Sequence, residues 1–333
     1  MIGWNILADI ISSTIIFAMP LLVVALGGMF SERSGTINIA LEGIMIIGAL
    51  ASCLFLSAVD FSDWGDERPL FAMFLAILIA AASGTVFALL LAFASVSLKA
   101  DQTIGGTALN MFAPAFAIVL TWAIQGQGQT TIYIPTWIRI TPVSLGMDPG
   151  AATGFLGRII FNYFFLTTPI VLLLLVLTIF VIYKTRFGLR LRSCGEHPQA
   201  ADSVGINVYR YRYTGVAISG LLGGIGGLAF TIAAGSGFES SVAGYGFFAL
   251  AVMIFGNWNP IRIFGAALFF ALFRVIGNYS SSIPFLPSFS NIKSSQYIYQ
   301  MLPYVVTMIL LIFTSKKSRA PKAEGIPYDK GSR

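Results

Sequence analysis

Apolar residues arrive in long runs broken by short polar punctuation. Nine of these runs are candidate membrane crossings: 5–30, 39–59, 70–97, 104–128, 161–183, 214–235, 244–257, 263–280 and 298–314. A helix rising 1.5 Å per residue needs about 20 apolar residues to span roughly 30 Å of hydrocarbon. Most of the runs meet that length; 244–257 is short and fits a half-helix as well as a crossing. The pattern predicts an all-α, polytopic membrane bundle of about nine segments, within a range of about eight to ten, some of them broken. One membrane domain over 1–314 carries a polar loop at 184–213, and a basic tail follows at 315–333.

The clearest interruption is Ser31–Met45, "SERSGTINIALEGIM". Gly35 and the β-branched Thr36 and Ile37 weaken a helix there, and Asn38 and Glu42, four residues apart, share one face of the helix that resumes. The string reads as a broken helix that turns polar groups into the bundle. A second stretch echoes it: Gly27-Gly28, then Ser34-Gly35 and a fresh apolar run, against Gly226-Gly227, then Ser236-Gly237 and another run. Inverted repeats with broken helices produce such an echo; so do unrelated glycine-rich segments by chance.

Composition supports the membrane reading. Of 333 residues, 56% are hydrophobic and 10% charged, whereas a soluble domain carries about 25% charged residues. The net charge of +6 is concentrated in the loop 184–213 and in the tail, the distribution of cytoplasmic segments rather than of a nucleic-acid surface. With those two segments inside, 31–38, 98–103 and 257–263 also fall inside. The segments 60–69, 129–160, 236–243 and 281–297 fall outside, with the N-terminus outside as part of a retained first helix. Inner segments then hold fifteen basic residues, outer ones four (Arg68, Arg139, Arg158, Lys293), and Arg274 lies within a span. The proline-rich outer segment 129–158 is either a surface for an external partner or a connector.

Several chemistries are excluded. No phosphate-binding G-x-x-x-x-G-K-[ST] occurs, so the chain does not bind ATP through a P-loop. His197, the single histidine, sits in the basic loop, and Cys53 and Cys194 are far apart in sequence, which leaves no metal cluster and no His-dependent triad. Buried ionisable groups cost roughly 2.5–3.5 kcal/mol on insertion scales and usually face a pathway. Glu42 and Arg274 are such groups, with the amides of Asn38, Asn110, Asn257 and Asn278 as softer candidates; an amide also serves as interhelical glue. One intramembrane carboxylate is few for an ion-driven carrier, which favours an external energy source. The loop segment Gly195–Ile206, "GEHPQAADSVGI", reads as a turn and a short helical run ended by Gly205, a peg for a soluble partner or simply a solvated loop.

The strings "SERSGTINIALEGIMIIGA", "GTALNMFAPAF", "RSCGEHPQAADSVGI", "FGNWNP" and "GIPYDKG" together resemble the permease subunits of bacterial ATP-binding cassette (ABC) importers of the branched-chain amino acid, ribose and simple-sugar class. Within that class they are most similar to nucleoside-type permeases that work with basic-membrane-protein lipoproteins. The resemblance covers about Ile11 to Gly331. It implies a non-catalytic subunit in the bacterial cytoplasmic membrane with a cytoplasmic C-terminus. Its implied partners are an ATPase that holds ATP and Mg²⁺, a second permease chain (commonly a different one) and an extracytoplasmic substrate-binding lipoprotein; no cofactor resides in this chain. Carried over, Gly195, Glu196, Pro198, Ala200, Ala201 and Gly205, flanked by Arg190 and Arg192, form the coupling helix that docks on the ATPase. His197 departs from the more usual Asn before Pro. Asn38, Glu42, Asn110 and Asn257 are the expected substrate-pathway residues. The implied substrate is a nucleoside, with a simple sugar or a flavin-like ligand as alternatives; a stand-alone secondary transporter is the competing class.

Overall fold

In the computed structural model the described residues are 2–61, 64–140, 142, 148, 154–161, 165–235, 237–279, 301–302, 304–306, 308–309 and 320–330. They form helices α1 (Ile2–Arg33), α2 (Leu41–Asp60), α3 (Trp64–Glu67), α4 (Pro69–Ala92), α5 (Gln102–Gln125) and α6 (Phe155–Phe161). The chain continues through α7 (Thr167–Lys184), α8 (Arg186–Glu196), α9 (Pro198–Ser203), α10 (Val208–Ala234), α11 (Tyr245–Phe255) and α12 (Pro260–Asn278). Seven helices, α1, α2, α4 with its π-helical extension to Ser97, α5, α7, α10 and α12, are long and apolar enough to cross a membrane. The all-α expectation holds among the described residues, which contain no strand beyond two isolated bridges. Most of the expected span 298–314 lies outside them.

Helix α10 is the axis, packed against α1, α2 and α4. Its "SGLLGGIGGLAF" is what lets three helices approach it closely. A Cβ on Gly224 would collide with the Ala80 carbonyl of α4, and one on Gly227 with the Met45 carbonyl of α2. Small residues at such crossings replace the hydrophobic driving force that lipid removes. By contrast α5 and α7 turn large apolar side chains outward, among them Met111, Phe112, Val119, Leu173, Val176 and Phe180.

Two ends are distinguishable. At one end the basic loop, the end of α1, the α11–α12 turn and the segment 320–330 meet: Arg33 Nη2 donates to the Trp258 carbonyl (3.0 Å) and Ala323 N–H to the Gly195 carbonyl (2.8 Å). At the other end Trp137 Nε1 donates to Asp60 (2.7 Å), and Ile132 and Phe238 exchange backbone hydrogen bonds. The loop 184–213 is more helical than the pattern suggests. Its basic flank forms α8, capped by Thr185 Oγ1, which accepts from Gly188 N–H (3.1 Å). The arginines obscured that helix in hydropathy, while Gly188, Leu191 and Cys194 give it a buried stripe.

The short run 244–257 is a half-helix. α11 has 11 residues, about 16 Å of rise, and runs from a site beside α2 to the basic end. It follows α10 through 235–244, where Gly235, Gly237, Ser240, Ala243 and Gly244 have φ between 51° and 93°. Left-handed backbone at five of the nine described positions excludes a helix there. The segment 34–40 plays the same part between α1 and α2, with Gly35 at φ 95°. Both arms of the sequence echo therefore contain a long helix, a break and a second helix; Ser236 lies outside the described residues.

Candidate functional site

The two breaks meet at one carboxylate. Glu42, in the first turn of α2, accepts from Gly244 N–H (2.8 Å) and Gly246 N–H (2.6 Å) at the start of α11. α2 runs from this point to Asp60 at the far end and α11 to the basic end, so the two N-termini oppose each other across Glu42. Unsatisfied N–H groups and the partial positive charge of a helix start both favour an anion there. Gly246 fits because its missing Cβ leaves room for the Glu42 backbone and carboxylate.

Asn110 of α5 spans the break beside Glu42: its Nδ2 donates to the Ile39 carbonyl (2.8 Å), and its Oδ1 accepts from Gly43 N–H (2.8 Å). Asn38, fully buried, donates to Ser219 Oγ of α10 (2.8 Å), and its Oδ1 has no partner among the described residues. Gln102 accepts from Ile37 N–H (2.7 Å). Three of the four expected pathway residues, Asn38, Glu42 and Asn110, thus gather at the break, and Asn110 holds its backbone. Asn257 does not join them; it occupies the α11–α12 turn at φ 53°, at the basic end. Arg274 stacks over the Tyr245 ring at 4.6 Å.

The expected coupling residues divide between two faces. Glu196, Ala200, Gly205 and Arg190 are exposed, and Arg190 lines a 460 Å³ cleft with Phe187, Ile206, Arg210 and Tyr211. Arg192 lies over the Tyr183 ring at 5.4 Å. Pro198 opens α9 and is buried, and Ala201 packs with Cys194, Val208 and Tyr328. Burial pushes the Cys194 thiol up to about 11. Gly195 faces inward: a Cβ there would strike the Arg33 carbonyl, and Gly35 N lies 3.2 Å from the same point. The loop therefore rests, backbone on backbone, against the break that carries Asn38 and Glu42. Glu196 adds an ion pair with Arg33 at 4.0 Å.

Sequence reasoning missed a second connection. The segment 320–330 lies across the basic end as a strap. Besides the Ala323 bond to Gly195, Arg212 Nη1 of α10 donates to the Ile326 carbonyl (2.8 Å), and Gly325 packs on Ile37 of the break. Lys99 pairs with Asp329 at 3.0 Å and Lys330 with Asp202 at 3.9 Å. Arg212, 1% exposed, looked like one more positive-inside charge; the strap's "GIPYDKG" was its only signal.

The chain matches the family model described as "Branched-chain amino acid transport system / permease component" over residues 10–314. It is 41% identical over 330 residues, 99% of each chain, to the guanosine ABC transporter permease protein NupQ of Bacillus subtilis. It is also 41% identical over 327 residues, 98% of each chain, to the nucleoside ABC transporter permease protein NupC of Lactococcus lactis. To the putative glucose ABC transporter permease protein TsgC13 of Haloferax volcanii it is 28% identical over 286 residues, 83% of this chain and 79% of that one. No solved structure matches.

Proposed function

Because this chain belongs to the family of permease components of branched-chain amino acid transport systems, we propose that it carries nucleosides inward across a bacterial cytoplasmic membrane as the non-catalytic membrane subunit of an ABC importer. The observation that carries this reading is the end-to-end similarity to two permeases named for guanosine and for nucleosides. An ATPase holding ATP and Mg²⁺, a second permease chain and an extracytoplasmic binding lipoprotein complete the assembly. The basic end, with the strap, faces the cytoplasm.

The geometry supplies a route for coupling. The exposed face of α8 and α9, with Arg190, Glu196, Ala200 and the Gly205 that follows, meets the ATPase beside the half-buried Arg192, while Gly195, Pro198 and Ala201 seat that face on the bundle. Displacement of the loop bears on Arg33 and Gly35 through Gly195, and from there on the break held by Asn38, Asn110 and Glu42. Movement of this break alters the path where the α2 and α11 N-termini oppose. ATP shifts the balance between an inward-open and an outward-open form only as far as it binds the two with different affinity.

The test is reconstitution of the chain with its ATPase, second permease and binding protein in proteoliposomes. ATP-dependent uptake of radiolabelled guanosine, adenosine or uridine, with none of glucose, is expected. Glucose uptake in preference to nucleosides overturns the substrate assignment in favour of the sugar reading that the Haloferax relative suggests. Uptake by the lone chain down an ion gradient overturns the ABC assignment.

A further inference from the structure

At the basic end two acidic side chains from distant parts of the chain face each other. Glu32, in the last turn of α1, is 4% exposed, and its Oε2 accepts from Trp258 Nε1 at 2.6 Å. The Glu324 carboxyl of the strap lies beside it, held there because Ala323 bonds the Gly195 carbonyl and Gly325 packs on Ile37, five residues beyond Glu32. Two carboxylates cannot bond to each other without a proton between them, and two unshielded negative charges in a buried site repel strongly. Among the described residues neither carboxyl forms an ion pair with a basic side chain. The basic side chains of the surrounding elements turn elsewhere: Arg33 of α1 to the Trp258 carbonyl and Glu196 of α8, Arg212 of α10 to the Ile326 carbonyl, and Lys99 and Lys330 to Asp329 and Asp202.

We propose that Glu32 and Glu324 form a proton-binding site, one shared proton per chain, and that this proton latches the strap onto the end of α1. The strap in turn bonds Gly195 of the loop and packs on Ile37 of the break, so occupancy of the site sets how firmly loop and break are held together. Burial raises the Glu324 carboxyl above the usual carboxylate range, which gives the sign. A group that binds its proton more tightly docked than free favours docking at low pH. Docking is strongest below the free carboxylate value of about 4.3. It weakens up to about tenfold per pH unit as pH rises towards the docked value, and is flat above that.

The experiment uses the full chain in lipid nanodiscs with a nitroxide on Ile326→Cys, a position 57% exposed; Cys53 and Cys194 are buried. Spectra report the immobilised fraction of the strap against pH. In the otherwise unaltered chain the ratio of immobile to mobile strap should fall with the slope of a single proton. Glu324→Gln keeps the net charge of the singly protonated pair and gives Glu32 an amide donor, so its strap should stay immobile throughout. Glu32→Gln should behave likewise, and Glu324→Leu should show a raised mobile fraction that ignores pH. A pH-independent strap in the unaltered chain, titration in Glu324→Gln, or a mobile strap in both glutamine variants overturns the site. Immobilisation that depends on added Ca²⁺ or Mg²⁺ and is lost with a chelator also overturns the proton, in favour of a bridging cation.

Discussion

Glu42 shows how a single residue serves two elements. It receives two backbone N–H bonds from α11 while standing in the first turn of α2, and hydrogen bonds to a charged group are worth about 1.5–3 kcal/mol each. Replacing it with Ala leaves two inward N–H groups unpaired at two opposed helix starts. Glu42→Ala should therefore lower the Tm of the purified chain by several degrees and abolish transport, with Glu42→Gln intermediate in both; thermal unfolding in detergent alongside uptake checks this. Asn110 makes a sharper distinction, because both ends of its amide are spent on the backbone of Ile39 and Gly43. Asn110→Leu should reduce uptake of every transported ligand by a similar factor. A change in selectivity among ligands would make it a substrate contact instead.

The glycines of α10 matter at the scale of whole helices. Gly227 and Gly224 lie against backbone oxygens of α2 and α4, which cannot move aside as a side chain can. Overpacking a tight core costs about 1–3 kcal/mol and sometimes more. Gly227→Ala should reduce the yield of monodisperse protein and its Tm, while Gly265→Ala on α12, where a Cβ meets nothing, should change neither; size-exclusion profiles of the two variants report the difference. These elements also mark what the chain's pattern could convey. Among the described residues long apolar runs located seven spans with ends within about six residues, because lipid imposes one length on all of them. Asn38, Glu42 and Asn110 were picked out because polar groups in an apolar run are conspicuous, yet their partners were not, since pairing α2 with α11 depends on where two breaks land in space. The resemblance makes Ala201 and Pro198 contact residues, and a loop of mixed polarity does not reveal that both are buried, Ala201 against Cys194 and Tyr328.

Across the whole molecule, the strap reaches three parts that each lie more than a hundred residues from it in sequence: the loop at Gly195, α10 at Arg212 and the break at Ile37. Its two ion pairs, Lys99–Asp329 and Lys330–Asp202, have largely exposed lysines, and such pairs contribute about 0–1 kcal/mol and are screened by salt. Its bonds to the Gly195 carbonyl and from buried Arg212, with Ala323 and Tyr328 packed beneath, contribute more. High salt alone should therefore leave the strap in place. Removing residues 320–333 should free it altogether and leave the Arg212 guanidinium without its Ile326 acceptor, a loss that local relaxation of α10 can partly absorb. In the reconstituted importer the truncated chain should still insert and support ATP hydrolysis, because the exposed face of α8 and α9 is intact. The substrate moved per ATP should fall several-fold, because the loop then bears on the break through Gly195 and the Glu196–Arg33 pair alone. Simultaneous measurement of phosphate release and uptake decides it: an unchanged ratio would reduce the strap to a passive covering of the basic end, and equal loss of both activities would mean that it supports the fold rather than the coupling.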